Sequence, residues 1–584
     1  MRLDRVTIKG FRNFDCADIQ LNGSTLIIGA NDVGKTNFLY ALRLLFDKTI
    51  SEHDLELNDN DYNAYTSADR IEITAFLEDV IEECLLSAFE GDVKEGSTMI
   101  RYINTKTNGY SFLIGSSEDT LQKYPSRKYI KYLNMQYVDS NRDLFSFLKH
   151  ERNKILDLSK EARKPEEVKE DDSILNTIQS ELTAINDNIN KLHYVSKALN
   201  NVNSELGDLS VHNEDQNMQF IAGESNADKM LDNISLAYTT DDSPLTIGGD
   251  GRNNQIFLAT WVIKQKIEQN VDHVTFYAIE EPEAHLHPHQ QRKLSKYLVN
   301  HFSNQVLVTT HSSQIAAKFP PDKMVRLYCR RKLTVASSGG CSDRLSDVFK
   351  QFGYRRDSLS SEVFFSDGVF LVEGMSEVIL FHALAEAIGL DLDKNNITIL
   401  SVEGVGFKPY ISVCNALDIP WVLRTDNDVF KKTKNGIEYH YYAGINRALE
   451  IAKEYSFSDE VLEQLVATYS NDTEWKEETP PEKSKEYNRK TKEKLIEHCI
   501  FLSNTDLEND LVNSKLSESL RLHYGLDCAD KILVDKMQMR KAENMLDYVE
   551  SHAEDLVALF DDPICTPLTV LIDSIQQRVH PENA

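Results

Sequence analysis

Apolar positions follow two rhythms along this chain, and the places where one gives way to the other mark its elements. Residues 1–45 predict strand, strand, loop and helix. Val6-Thr7-Ile8 has strand character, Leu26-Ile27-Ile28 runs into a glycine loop, and Phe38 to Phe46 keeps helical spacing. Residues 70–115 alternate in strand fashion, as in Arg70-Ile71-Glu72-Ile73-Thr74-Ala75-Phe76. From about 145 to 240 Asp, Glu, Lys, Asn and Ser dominate. There Ile174, Ile178, Leu182, Ile185, Ile189 and Leu192 recur at helical spacing, which predicts an amphipathic helix paired with a second around 195–206 as a hairpin arm.

Strand-like runs return at Val274–Ile279, Val306–Thr310 and Met324–Cys329, and a polar stretch with glycines at 336–344 closes the first region. Beyond it Val369–Val372, Ile397–Val402 and Trp421–Thr425 are short apolar strands, each ending at an acidic or glycine position. They alternate with helices such as Ser376–Ile388, which predicts a small parallel α/β domain. Residues 472–494, with Pro480-Pro481, are highly charged and nearly free of large aliphatic residues, so an exposed insertion or mobile helix is expected. No internal repeat is visible.

Bulk properties narrow the classes. A length of 584 residues predicts two or more domains, and 41% hydrophobic with 27% charged residues is ordinary for a soluble globular protein. No stretch reaches the roughly 20 apolar residues of a membrane span, and the strand-like start is no signal peptide. The eight cysteines are scattered without a C-x-x-C pair, so free thiols in a reducing cytoplasm are expected, with neither zinc nor disulfides. A net charge of −29 argues against nonspecific coating of DNA, because phosphate contacts need Lys and Arg. It leaves room for a local basic groove, since overall charge governs solubility more than any one site.

Chemistry is concentrated in two motif sets. In the first, Gly29-Ala30-Asn31-Asp32-Val33-Gly34-Lys35-Thr36 follows a strand and opens a helix, the context of a phosphate-binding loop. Its backbone N–H groups would cradle phosphates, Lys35 would reach the β and γ phosphates of ATP or another NTP, and Thr36 would hold magnesium. A chance glycine turn is the bland alternative, and the flanking strand and helix argue against it. Glu280 would contact magnesium through water and Glu281 would polarise an attacking water. Most such ATPases have Asp at the Glu280 position, so slow hydrolysis is expected. His311 ends another strand; alone it would be a surface histidine, but in this order a γ-phosphate sensor is favoured. Gly248-Gly249-Asp250-Gly251-Arg252 stands just before the Val274–Ile279 strand, the place of the signature loop of ABC-type heads. The candidate nucleotide-binding set is Asn31, Gly34, Lys35, Thr36, Asn37, Gly249, Asp250, Glu280, Glu281 and His311.

The second set is acidic: Phe370-Leu371-Val372-Glu373-Gly374 with Glu377, then Leu423-Arg424-Thr425-Asp426-Asn427-Asp428. This is the pattern of a Toprim domain. Carboxylates at the ends of parallel strands point into one crevice. Hard oxygen donors suit Mg²⁺ or Mn²⁺, and two such ions about 4 Å apart can drive phosphodiester hydrolysis. Gly374 removes a side chain where a phosphate must come close. Asp-x-Asp and Glu-Gly are also common in plain turns; their order behind a complete ATPase head favours the metal reading. Asp506 and Glu508 follow strand-like Ile500-Phe501-Leu502, which favours another strand-end acid pair over a simple helix N-cap at Thr505 or Asp506. Lys541 could stabilise charge developing on a phosphate, although on physics alone it is an ordinary helix lysine.

From Ile8-Lys9-Gly10-Phe11-Arg12-Asn13-Phe14 to Lys541, the chain resembles the OLD family of ATP-dependent endonucleases, and within it the nuclease subunits of Gabija anti-phage defence systems. The matching segments are Asn31 to Arg43, Gly249 to Arg252, Glu280-Glu281-Pro282-Glu283, Leu371 to Gly374 with Ser376-Glu377, Thr425 to Asp428, and Asp506 to Leu511. The resemblance implies an α/β chain with an ABC/RecF/SMC-like P-loop ATPase head at 1–345. The head would carry a helical dimerisation arm at about 145–240, and a Toprim domain with a small parallel sheet would follow at 346–584. It implies a nicking endonuclease for double-stranded DNA, with Glu373, Glu377, Asp426, Asp428, Asp506 and Glu508 as metal ligands and Lys541 as a catalytic residue. It also implies dimerisation through the heads, a tetramer, a UvrD-like helicase partner subunit, and restraint of cleavage by bound nucleotide. A non-enzymatic SMC-like DNA clamp is the competing expectation; the missing Cys pairs argue against a primase.

Overall fold

The computed structural model describes residues 1–89, 91–139, 156–157, 159–161, 163–209, 238–240, 243–245, 251, 254–257, 259, 273–301, 305–341, 362–455, 460–472, 474–525 and 529–579. Contacts divide the chain into two compact units, Met1–Ser140 with Asp272–Glu283 and Pro288–Ala584, and Asn141–Val271 with Ala284–His287. The ATPase core and the acidic domain thus fall in one unit, the arm in the other.

The first unit opens with β1 (Arg2–Phe11), β2 (Phe14–Gln20), β3 (Thr25–Ile28), α1 (Lys35–Phe46), β4 (Arg70–Glu78), β5 (Thr98–Thr105), β6 (Gly109–Gly115), β7 (Gln122–Tyr124) and β8 (Leu133–Val138). Six of these strands form an antiparallel sheet in the order β2-β1-β4-β5-β6-β7. Strands β3 and β8 leave it for a second sheet. The buried α1 side chains Phe38, Leu42, Leu45 and Phe46 belong to a core shared with Ile8, Ile73 and Ile100 of the first sheet and Phe276 and Leu307 of the second. Each such aliphatic or aromatic side chain contributes about 1.5–3 kcal/mol on burial.

In the second unit α2 (Pro165–Lys191) starts with proline in its first turn, where a missing N–H costs nothing. The Glu167 carboxylate accepts from Lys164 N at 2.8 Å, closing the helix start. A second helix, α3 (His193–Leu209), follows. No α2 side chain is fully buried: Ile178, Leu182 and Ile189 are half-buried, and Ile174 and Ile185 exposed.

The second sheet of the first unit is completed by β9 (Val274–Glu280), β10 (Val306–Thr310), β11 (Met324–Arg330) and β12 (Leu333–Ala336). Its order is β12-β11-β3-β10-β9-β8, parallel throughout except for the β11–β12 hairpin. Such a sheet is buried on both faces, which explains why its strands are continuous apolar runs.

The acidic domain is built on β13 (Gly368–Val372), α4 (Met375–Ala387), β14 (Ile397–Ser401) and β15 (Trp421–Thr425). The hairpin β16 (Val429–Lys434) and β17 (Ile437–Tyr442) follows, then α5 (Ala443–Glu454), α6 (Glu482–Ile496), β18 (Ile500–Leu502), α7 (Leu507–Val512), α8 (Lys541–His552) and α9 (Thr566–Val579). Its sheet, β14-β13-β15-β18, is parallel at every pairing. All five β13 residues are buried, and Phe370 packs its ring 4.6 Å from that of Phe381 on α4. Gly368 lets α9 cross closely: a Cβ there would lie 2.5 Å from Ile575 Cδ1, so that side chain would have to shift. The hairpin turns through Asn435 and Gly436, both with positive φ, as a two-residue type I′ turn demands.

The charged run expected as an exposed insertion contains α6, and one face of that helix is packed. Ser484, Tyr487, Thr491 and Leu495 are buried, and Trp475 just before it is only 3% exposed. Small hydroxyl side chains and two aromatics do the work that aliphatic residues usually do.

Arg326 of β11 ties the head to the acidic domain. Its Nη2 donates to Ser366 O at 2.7 Å and to Asp367 Oδ1 at 2.9 Å, immediately before β13. The side chain is almost wholly buried and its Nε has no partner. Gly339 N donates to Ala416 O at 3.1 Å, and Ser338 N to Asp418 Oδ2 at 2.7 Å. Among the described residues no helix is long and apolar enough to cross a membrane, and the cysteines are unpaired.

Candidate functional site

The structure gathers two centres. At the first, β3 delivers the chain to Gly29 and α1 starts at Lys35. Gly34 has φ 98°, and a Cβ on it would meet Asn13 Nδ2 at 2.2 Å, so only glycine can turn the loop into the helix here. Asn13 is itself held by Thr334 at 2.6 Å and accepts from Asn37 Nδ2 at 2.8 Å, while Arg12 donates to Asn37 Oδ1 at 2.8 Å. Asn37 therefore braces the start of α1 from below, and Asn31 is exposed on the loop.

Lys35 is buried, and its ammonium is folded onto the loop, donating to Gly29 O at 2.9 Å and Ala30 O at 2.8 Å. Burial lowers its pKa from 10.5 to about 8 against the pull of Glu281, Glu283, Glu280 and Asp32. The Thr36 hydroxyl donates to Glu280 Oε1, and the Tyr137 hydroxyl to Glu280 Oε2. His311 Nδ1 lies 3.4 Å from Lys35 Nζ, and its Nε2 lies 2.8 Å from Glu281 Oε1. Burial and the Lys35 charge lower the His311 pKa. Glu281 has φ 42°, a left-handed conformation uncommon for a non-glycine residue and often found at functional positions. Lys35, Thr36, Glu280, Glu281 and His311, spread over 277 residues, thus meet at the ends of three adjacent strands. Gly249 and Asp250, with Gly248 and Arg252, lie outside the described residues.

Two further residues belong here. Glu283 accepts from Thr310 Oγ1 at 2.6 Å and His311 N at 2.8 Å, fixing the strand end that carries the histidine. Burial raises its pKa, and its Oε2 is buried without a partner. Tyr137 holds the carboxylate that Thr36 also holds. Glu283 stood in the Glu280-Glu281-Pro282-Glu283 run; Tyr137, more than a hundred residues upstream, had no local signal.

At the second centre, three neighbouring parallel strands end in acids: β13 at Glu373, β15 at Asp426, and β18 shortly before Asp506. The Glu373 carboxylate accepts from Asp426 N at 3.0 Å, Arg447 Nη1 at 2.5 Å, and the Thr425 hydroxyl. Glu377, in the first turn of α4, accepts from Ser376 Oγ at 2.9 Å. Asp426 accepts from Ser503 Oγ at 3.1 Å. Asp506 caps α7, accepting from Asn509 N at 2.7 Å, so the plain N-cap role is also real; its other oxygen accepts from Gln538 Nε2 at 2.6 Å. Glu508 is 1% exposed and receives Lys541 Nζ at 3.1 Å, leaving Oε1 buried without a partner.

Electrostatics link the set. Asp426 is pushed up to about 8, first by burial and then by Glu373 and Glu377, with Glu508 adding to it and Lys541 opposing. Burial and Asp506 raise Asp428; burial raises Glu508 against the pull of Lys541. Burial disfavours the Lys541 charge, but Glu508, Asp426 and Asp506 outweigh it and its pKa rises. The six carboxylates and the lysine therefore sense one another. So many buried acids cost free energy unless cations or protons share them. An all-oxygen donor set and the orphaned Glu508 oxygen fit a hard divalent ion. The carboxylates are nevertheless turned to protein donors, and among the described residues no three acidic, His or Cys side chains stand as a ready cage. Arg447 and Gln538 were invisible in the sequence, because each reaches the cluster from an element with no motif of its own; Ser503 stands in the Asp506 run itself.

Comparisons with known proteins agree with this division. Residues 24–317 match the family described as "AAA domain, putative AbiEii toxin, Type IV TA system", and residues 364–428 the one described as "Overcoming lysogenization defect protein-like, TOPRIM domain". Endonuclease GajA of Bacillus cereus is 28% identical over 94% of this chain and 95% of its own length. The OLD nuclease of Thermus scotoductus is 24% identical over 73% of this chain and 82% of its own. The Old nuclease of Escherichia phage P2 is 23% identical over 73% and 77%. The AAA match spans half of the chain, so this chain belongs to that ATPase domain family, and the Toprim segment behind it makes the chain similar to the OLD nucleases.

Proposed function

We propose that this chain is a nucleotide-regulated, divalent-metal-dependent DNA endonuclease that acts in anti-phage defence as the nuclease subunit of a Gabija-type system. The observation that carries the reading is the meeting of Glu373, Asp426 and Asp506 at the ends of three adjacent parallel strands, with Glu377, Asp428, Glu508 and Lys541 coupled to them. Supporting it are the two family matches and the likeness to GajA along nearly the whole chain.

A pair of Mg²⁺ or Mn²⁺ ions would supply charge neutralisation and an activated water at the phosphodiester. The chain's own residues do the rest. Glu373, Glu377, Asp426, Asp428, Asp506 and Glu508 offer the oxygen donors. Arg447 and the Asp426 N–H orient Glu373, and Gln538 and the α7 N–H orient Asp506. Lys541, held by Glu508 and still partly exposed, is placed to meet negative charge on a phosphate. In the head, Lys35, Thr36, Glu280 and His311 would receive ATP or another NTP. The Glu280 carboxylate already satisfies two hydroxyls, which suits a site that binds nucleotide and turns it over slowly. Double-stranded DNA as substrate, head-to-head dimers, a tetramer and a helicase-like partner subunit complete the proposal.

The test is purified protein with supercoiled plasmid and Mg²⁺ or Mn²⁺ across an ATP titration. Nicked or linear product that falls as ATP rises supports the reading. No cutting under any metal or nucleotide condition would favour the non-enzymatic SMC-like clamp.

A further inference from the structure

Strand β16 begins at Val429, the residue after Asp428, so the β16–β17 ribbon grows directly out of the carboxylate cluster. Its register sets Phe430 opposite Tyr441, Lys432 opposite Tyr439 and Lys434 opposite Ile437. Side chains alternate across a strand, so these six share one face. Phe430 is 51% exposed and Ile437 44% exposed. Lys432 Nζ lies 4.6 Å from the Tyr441 ring centroid, and Lys476 adds its ammonium 5.6 Å from that of Tyr439. The opposite face has another use: His440 and Tyr442 are buried there, with Trp475 stacked or tilted against them. One carboxylate, Glu474, is shared by Lys432 at 2.6 Å and Lys434 at 2.7 Å, while Glu438 pairs with Lys431 at 2.7 Å. On a chain of net charge −29, a face that sets lysines beside one exposed ring, Phe430, and two half-buried tyrosines is distinctive.

We propose that this ribbon face is a DNA-guiding surface. Lys432, Lys434 and Lys476 meet backbone phosphates, and Phe430 contacts a sugar or base next to the phosphodiester entering the crevice. The inference rests on the nuclease reading and adds where the substrate lies. A two-stranded ribbon fits a major groove, lysines bind phosphate by releasing counterions, and an exposed ring gives apolar contact without sequence preference. Glu474 holds the two lysines extended along the strand and offsets part of their charge.

Binding of a short duplex to the full chain, with divalent metal withheld so that the DNA stays intact, tests the surface. Lys432→Gln with Lys434→Gln should weaken binding about tenfold near physiological salt and make the slope of log affinity against log salt shallower by about 1–2. Glu474→Gln should act in the opposite direction, tightening binding and steepening that slope. Phe430→Ala should cost several-fold in affinity with the slope unchanged. ATP binding and thermal melting serve as controls for folding; if the double variant unfolds, the gain expected of Glu474→Gln still decides. Wild-type affinity and slope in the lysine and glutamate variants would overturn the ribbon while leaving the nuclease reading in place. A wild-type chain that binds no DNA would overturn both.

Discussion

Lys541 and Glu508 meet at 3.1 Å within the acidic cluster, and the lysine satisfies only one of the two glutamate oxygens, leaving the other buried without a partner. That unpaired oxygen gives the proposed metal site a direct test. Lys541→Ala should lower cutting by at least about 100-fold, the scale of removing one charge-stabilising donor. It should also destabilise the metal-free chain by about 1–3 kcal/mol, because Glu508 is left buried and unpaired. Saturating Mg²⁺ should restore that loss. Melting curves with and without the ion check it, and a melting point that stays low in Mg²⁺ would remove Glu508 from the ligand set.

The two centres should be separable by mutation. Glu373→Ala is expected to abolish plasmid cleavage while ATP binding persists. Lys35→Ala should do the reverse, removing nucleotide binding and its control over cutting. Cleavage that survives Glu373→Ala would show the site assignment to be wrong.

Nucleotide affinity should weaken above pH 8. Burial depresses the Lys35 pKa to about 8, so the folded chain disfavours its charge. The resulting stability is present above the unfolded value near 10.5 and is lost as pH falls to about 8, leaving a charged, poorly solvated lysine at neutral pH that a phosphate can relieve. Above pH 8 binding must first recover a proton, which costs up to about tenfold in affinity per pH unit. Titration of ATP affinity from pH 7 to 9.5 checks the sign; a flat profile would contradict it.

Metal affinity should move the other way. Asp426 holds its proton up to about pH 8, so its folded pKa is raised. That contribution to stability is present below about pH 4 and lost as pH rises towards 8, and a divalent ion must displace the proton to bind. Mg²⁺ affinity should therefore climb between about pH 6 and 8 with proton release, measurable by calorimetry in buffers of different ionisation heat.

Gly444 is a sharper probe than any motif residue. A Cβ at this position would lie 2.4 Å from Asp426 O and 2.8 Å from Asn427 Oδ1. Gly444→Ala should push α5 away from the strand end that carries Asp426, cutting activity at least about tenfold while ATP binding is untouched. Full activity in this variant would mean that Asp426 tolerates displacement.

How much of this was legible depended on whether a contact is local. The phosphate loop announced itself because strand, glycines, lysine and helix are contiguous, and the acids at Glu373 and Asp426 because each closes an apolar run. Strand order was not legible: β3 and β8 leave the first sheet for the second, and nothing local says so. Tyr137, Arg447 and Gln538 were missed because each meets its partner across 32 to 143 positions. The α6 stripe at Ser484, Tyr487, Thr491 and Leu495 had helical spacing, but it was written mostly in hydroxyl residues inside a charged run. The Asn435-Gly436 pair carried a hairpin-turn signal that the sequence reading passed over.

Arg326 has one more consequence, for anyone who would divide this molecule. Its guanidinium comes from the ATPase sheet, yet its hydrogen bonds end on Ser366 and Asp367 at the threshold of the acidic half. Severing the polypeptide between 341 and 362 and separating the pieces would leave a buried arginine stripped of its acceptors on one fragment, while Asp367 on the other would keep only the amide of Asn396. Each half therefore completes hydrogen bonds of the other, and the ATPase head and the acidic domain share one structural seam.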